Sequence, residues 1–220
     1  MVFSSVPPDA HRRMTATVRL LVAVEIDATL VDAAAALIAE LRDRAVRLAP
    51  RARVTWLTAD RLHLTLAFIG HIDPSRLPAV RQALQPPFTA RPFTIGLRGL
   101  GAFPERGRPR VIWAGLERGA HDLSALAGEV TTRLGSTGIA VDERPHQPHL
   151  TLARVREAGG LRTSTLFAGL EQVALGTMDV RAITLFESRL SPAGAIYQPV
   201  VKSLLRARGA KATTPSLRDN

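Results

Sequence analysis

Two of the six histidines in this 220-residue chain occur in one and the same pentapeptide. His63-Leu64-Thr65-Leu66-Ala67 recurs further on as His149-Leu150-Thr151-Leu152-Ala153. In a β-strand, residues i and i+2 share a face about 7 Å apart. Each copy therefore presents an imidazole and a hydroxyl side by side, while the leucines turn into the core behind them. Two such strands facing one another would surround a small tetrahedral anion with two imidazoles and two hydroxyls. Neutral Thr hydroxyls donate to phosphate oxygens. Imidazole titrates near neutral pH, so one ring can be neutral while the other is cationic. That is what a general base and a general acid require on opposite sides of an in-line displacement. A lone His-x-Thr arises readily by chance; a second copy with the same Leu and Ala fillers in the same strand-like context does not. His63 and His149 are the catalytic candidates, with Thr65 and Thr151 beside them.

Positioning those side chains takes strands, and the hydrophobic pattern supplies them. Leu62–Ile69 and Leu150–Val155 read as strands carrying the two motifs, and Val18–Ile26 as a buried strand before them. Leu30–Leu48 has helical spacing (Leu30, Ala34, Leu37, Ile38, Leu41), with Asp27 or Thr29 as its cap. Val54–Leu57 is strand-like. Pro74 opens a helix towards Leu84 that Pro86-Pro87 stops. Phe93–Leu100 and Arg110–Leu116 are strands around a Gly- and Pro-rich loop, Gly101–Pro109. His121–Leu134 is an amphipathic helix ended by Gly135, and Leu161–Leu170 a short helix. Met178–Leu190 and Ala195–Leu204 read as two long strands joined in a hairpin at Ser191–Gly194. This order lacks strict strand–helix alternation and predicts an α+β protein with antiparallel pairing.

Composition narrows the class. Apolar residues make up 46% and charged residues 22%, enough apolar material for a sizeable core. The chain has no Cys, which excludes disulfides, Cys-based zinc sites, Fe–S clusters and thiol catalysis. No apolar run reaches the roughly 20 residues of a membrane-spanning helix; a cytoplasmic location is the expectation. The net charge is +10, of which the last 19 residues carry +4 (Lys202, Arg206, Arg208, Lys211 and Arg218 against Asp219). The remainder suits a polyanionic substrate without requiring one. Residues 1–16 read as a disordered leader, 17–205 as one catalytic domain and 206–220 as a basic disordered tail; Met14 is an alternative start.

Several blocks in order resemble the RNA 2′,3′-cyclic phosphodiesterases, historically called 2′-5′ RNA ligases, of the two-histidine phosphoesterase superfamily. They are Arg19-Leu20-Leu21-Val22-Ala23-Val24, His63 to Gly70, Gly101-Ala102-Phe103-Pro104, and Pro109-Arg110-Val111-Ile112-Trp113-Ala114-Gly115. Arg144-Pro145-His146-Gln147-Pro148 leads into the second motif, and Leu185-Phe186-Glu187-Ser188 and Gly194-Ala195-Ile196-Tyr197 complete the set. The resemblance implies a bilobal fold of two pseudo-symmetric lobes, each with an antiparallel sheet and outer helices, and an active cleft between them. It implies hydrolysis of RNA 2′,3′-cyclic phosphate ends to 2′-phosphates with neither metal nor cofactor, by a monomer. His63 would then be the proton donor, His149 the proton acceptor, and Thr65 and Thr151 phosphate ligands. The two motifs themselves are identical and do not assign those roles. Arg154 resembles a family arginine that assists at the phosphate. Strict alternation, however, puts it on the face opposite His149 unless a bulge or strand end intervenes.

Phe68, Arg110 and His146 are possible substrate contacts, while Trp113 reads as core and Tyr197 as core or ligand wall. Three other readings stay open. The same site could act on 2′-5′-linked oligonucleotides, or on cyclic nucleotides or ADP-ribose cyclic phosphate. Alternatively the chain could bind RNA with little turnover.

Overall fold

The computed structural model describes residues 17–141, 146–191 and 194–206. The expected leader 1–16, the tail beyond Arg206, and Arg144-Pro145 lie outside the described residues. The apolar run near the start forms β1 (Val18–Glu25). It leads into α1 (Ala28–Leu48), where Asp27 is the cap, its Oδ1 accepting from the Leu30 N–H at 2.9 Å. β2 (Arg53–Trp56) and a 3-10 turn precede β3 (His63–Ile72), which carries the first motif. Pro74 opens a 3-10 turn that continues into α2 (Leu77–Leu84). The hairpin β4 (Phe93–Phe103) and β5 (Val111–Arg118) is followed by α3 (Ala120–Gly135) and then β6 (Leu150–Glu157), the second motif strand. α4 (Thr163–Leu166), β7 (Ala174–Val180), β8 (Ala182–Ser191) and β9 (Gly194–Leu204) complete the chain.

All nine strands pair antiparallel in one sheet of order β7-β4-β5-β6-β3-β1-β8-β9, with β2 pairing β6 outside that path. The expected α+β class and pseudo-symmetry are both present. β3, β1, β8 and β9 form one half, and β6, β5, β4 and β7 the other. Each half repeats a plan in which a strand (β1 or β5) leads through a helix (α1 or α3) to the neighbouring strand that bears the histidine. The two half-sheets are continuous, joined where Leu64 of β3 pairs with Leu150 of β6. These are equivalent leucines of the two motifs, so the pseudo-twofold axis passes through that pair. Each helix packs across onto the other half, α1 on β6 and β7, α3 on β3.

One large core lies on the helix-covered face. It includes Leu20, Val22 and Val24 of β1, Leu64 and Leu66 of β3, and Leu150 and Leu152 of β6. Burying each leucine contributes on the order of 2 kcal/mol. A one-residue slip would carry that set to the other face, so the motif leucines fix the register that turns the histidines outward.

One expected element is corrected. Met178–Leu190 is not a single strand: β7 ends at Val180, β8 begins at Ala182, and Arg181 alone separates them. β7 pairs with β4, whereas β8 pairs with β1 and β9 at the far side of the sheet. The chain can change partners in one residue because the sheet curls until its ends approach. There the N–H of Leu205 donates to the Arg181 carbonyl at 2.9 Å, and the N–H of Phe88 to the Leu204 carbonyl at 3.0 Å. Gly101 to Phe103, expected in a loop, extends β4, and the Trp113 ring lies over the bare Cα of Gly101. No helix among the described residues is long and apolar enough to cross a membrane.

Candidate active site

The single bridge between the half-sheets sets the arrangement of the four motif side chains. Antiparallel pairing of Leu64 with Leu150 places His63 across from Thr151, and Thr65 across from His149, on the face opposite the leucines. Beyond the bridge the motif strands diverge, since β6 goes on to pair with β2 from Ala153 to Glu157. The four groups therefore line a cleft that straddles the pseudo-twofold axis.

Each motif carries the same irregularity. On β3, Thr65 pairs with Ala23 and Ala67 with Val22, leaving Leu66 as an extra residue. On β6, Thr151 pairs with Trp113 and Ala153 with Ile112, leaving Leu152 as the extra one. A bulge of this kind shifts the alternation by one. Leu66 and Ala67 are both buried, as are Leu152 and Ala153. The next residue of each strand, Phe68 or Arg154, is consequently delivered to the histidine face, where both are exposed. Strict alternation would have hidden both. Phe68 and Arg154 occupy equivalent positions, and they are where the two motifs first differ.

The imidazoles are held identically. His63 Nδ1 lies 2.8 Å from the Arg61 carbonyl and His149 Nδ1 2.7 Å from the Gln147 carbonyl, each two residues upstream. A carbonyl only accepts, so Nδ1 carries the proton in both rings. Nε2 is left free to accept a proton when the ring is neutral and to donate one when it is cationic. Burial pushes the His63 ring down from 6.5 to about 4; the carbonyl bond from Arg61 opposes this, and the Arg154 guanidinium and the His149 ring add to it. Burial also lowers His149, against the Gln147 carbonyl bond and with help from His146 and Arg154. The Arg154 charge therefore acts on both rings in the same direction.

Aromatic rings wall the cleft. Tyr197 stands edge-on to His63 with centroids 4.8 Å apart, and Phe186 lies 6.5 Å away. On the other side Phe103 is edge-on to His149 at 5.1 Å, and Trp113 lies at 6.2 Å. Trp113 therefore belongs to the cleft face and not to the core where its apolar neighbours suggested it. Phe103 and Phe186 were not singled out by sequence. The signal for Phe186 was its even-numbered phase with Thr184 and Ser188, and for Phe103 a strand that outlasts its glycines. Two further candidates have other partners. His146 Nε2 donates to the Thr65 carbonyl at 2.8 Å, fastening the approach to the second motif onto the first motif strand. Arg110 lies on a separate cavity with Arg108 and Arg156. No group of three or more metal-ligating side chains is assembled among the described residues.

A curled antiparallel sheet thus carries two imidazole–hydroxyl pairs on one face, beside the junction of its two halves. The family model described as LigT like Phosphoesterase matches residues 29–113 and 116–197, and the chain belongs to that family. An RNA 2′,3′-cyclic phosphodiesterase of Archaeoglobus fulgidus is 31% identical over 180 residues, which cover 82% of this chain and 96% of that one. One from Aeropyrum pernix is 36% identical over 140 residues, covering 63% of this chain and 79% of its own. The crystal structure of TT0787 from Thermus thermophilus superposes with a TM-score of 0.70 at 29% identity, covering 86% of this chain and 99% of that one. LigT of E. coli, complexed with 3′-AMP, has the same fold, with a TM-score of 0.63 at 23% identity and coverage of 86% and 99%.

Proposed function

We propose that this protein hydrolyses the 2′,3′-cyclic phosphate end of RNA to a 2′-phosphate, using His63 and His149 as acid and base without a metal ion. The observation that carries the reading is the matched setting of the two rings: each Nδ1 is committed to a carbonyl, so each Nε2 is available on the cleft face beside a threonine hydroxyl. The relatives named RNA 2′,3′-cyclic phosphodiesterase support the choice of substrate.

The cyclic phosphate sits between the rings, its oxygens accepting from the Thr65 and Thr151 hydroxyls and the Arg154 guanidinium. Water attacks phosphorus as His149 Nε2 takes its proton; the P–O3′ bond breaks and His63 Nε2 delivers a proton to O3′. The 2′-phosphate leaves with His149 protonated and His63 neutral, and proton exchange with water restores the starting pair. Burial holds both rings below their ordinary range. The negative charge of the bound phosphate raises them and lets His63 carry its proton.

The test is hydrolysis of a cyclic-phosphate-ended oligonucleotide in EDTA, with the phosphate position of the product assigned. A 2′-phosphate formed in EDTA, with turnover lost in both His63→Ala and His149→Ala, is the expected result. Dependence on added metal, or undiminished turnover in either variant, overturns the reading.

A further inference from the structure

We infer that the cavity beside the second motif strand binds the phosphodiester backbone of an RNA strand whose cyclic end lies in the cleft. The inference rests on the reading of the cleft given above and extends it to the body of the substrate. The cavity has a volume of about 950 Å³ and is lined by the β4–β5 loop and the chain leaving β6. Four arginines line it, Arg108, Arg110, Arg156 and Arg162, together with one acidic residue, Glu157.

Their convergence on one hollow, with no carboxylate of their own, sets these arginines apart. Some cations elsewhere are matched with carboxylates: Arg44 with Glu40, Arg98 with Glu117, Arg133 with Glu129, Arg181 with Asp179, Arg189 with Glu187 and Lys202 with Glu25. Arg108, Arg110, Arg156 and Arg162 make no side-chain hydrogen bond or ion pair among the described residues. The one carboxylate among them is engaged outside the set, Glu157 Oε2 lying 3.5 Å from Arg53 Nε. Four like charges around one hollow repel one another. A polyanion that enters relieves that repulsion and releases its own counterions.

Both walls of the cavity start at the catalytic cleft. The β4–β5 loop leaves β4 at Phe103, which stands against the His149 ring, and re-enters at Val111, which pairs with Arg154. Arg156 is two residues beyond Arg154 on β6, about 7 Å along the strand. A single strand anchored by its terminal phosphate at Arg154 can therefore continue over Arg156 towards Arg108 and Arg162. The expected ligand is an oligonucleotide. A cyclic mononucleotide or ADP-ribose cyclic phosphate is too short to use all four charges, so the cavity selects the longer substrate.

The test measures binding and turnover separately. Fluorescence anisotropy follows a 5′-labelled single-stranded RNA ending in 2′-phosphate, the product, which is not consumed. Each phosphate contact on a single strand contributes about 0.7 to the log–log salt slope, so Arg108→Ser/Arg162→Ser should weaken binding about tenfold and flatten the slope by about 1.4. The ratio of kcat/KM for a cyclic-ended oligonucleotide to that for a cyclic mononucleotide should fall by a similar factor. Arg98→Ser/Arg181→Ser removes equal charge from ion-paired positions and should leave the affinity within about twofold. Unchanged affinity and slope in Arg108→Ser/Arg162→Ser, with wild type hydrolysing both substrates, overturn the cavity proposal and leave the cleft reading standing. If wild type hydrolyses neither substrate yet binds the oligonucleotide through these arginines, the cleft reading falls and the RNA site stands.

Discussion

Acid should destabilise this protein through His63. The folded ring titrates at about 4 and the unfolded one near 6.5. Its folded value is depressed, so as pH falls through 6.5 the unfolded chain takes up a proton that the native ring refuses, and stability is lost. Carrying that linkage from pH 7.5 down to pH 5 gives a loss of about 2 kcal/mol from this one side chain. Native domains are stable by about 5–15 kcal/mol, so the loss is well within reach of measurement. His149 is shifted in the same direction and adds to the loss in wild type. Surface carboxylates titrate alike in wild type and variant, and cancel in the comparison. The assay is urea unfolding followed by tryptophan fluorescence at the two pH values, for wild type and His63→Gln. Wild type should lose about 2 kcal/mol more than His63→Gln over the interval. Inorganic phosphate, by supplying the missing negative charge, should shrink the wild-type loss. Equal losses in the two proteins would mean that the ring is not desolvated as the geometry requires, and the account of its lowered titration would fail with it.

Four other outcomes are expected. Arg154→Ala should lower kcat/KM by about 10²–10³, the cost of one lost anion-stabilising donor, and should raise the His63 titration point followed by proton NMR. Thr65→Val and Thr151→Val should each cost about 10- to 100-fold in kcat/KM, the worth of a hydrogen bond to a charged oxygen, with unfolding midpoints close to wild type. The form with one ring protonated is most populated midway between the two macroscopic pKa values. Both rings are depressed, so the kcat/KM profile should peak below pH 6.5, and an alkaline optimum would contradict this. Gly101→Ala would drive a Cβ into the Trp113 ring. Displacing that ring should cost about 1–3 kcal/mol of stability, visible as a lower thermal midpoint and shifted tryptophan fluorescence.

The placement of the motif side chains was legible because it is written locally. His63, Thr65, His149 and Thr151 follow from strand alternation alone, and the repeat located both strands. Helix limits were also local: Asp27 caps α1 and Gly135 closes α3. The break at Arg181 was not legible as a turn, because no Gly, Pro or Asn marks it. The trace it left was a change of phase, from buried Met178 and Val180 to buried Ile183 and Leu185, which an unbroken strand does not show. Walls built from distant strands leave only faint traces of that kind. Phe103 and Phe186 reach the histidines only because the sheet brings β4 and β8 alongside, a long-range outcome that no short window encodes.

The bulges resolve the one local conflict in the sequence and explain why identical motifs need not be equivalent. Leu66-Ala67 and Leu152-Ala153 each consume two residues on the core face, so position six of each motif returns to the cleft. One half offers Phe68 there and the other Arg154. Two arginines would have set two fixed charges against both rings and pushed their titration lower still; two phenylalanines would have left a buried anion without a fixed counter-charge. With neutral imidazoles and one guanidinium, the resting motif residues carry a single positive charge, matched to the single negative charge of a cyclic phosphodiester. On the proposed reading, near-symmetry supplies the two proton carriers, and the one broken position supplies the charge that holds the substrate between them.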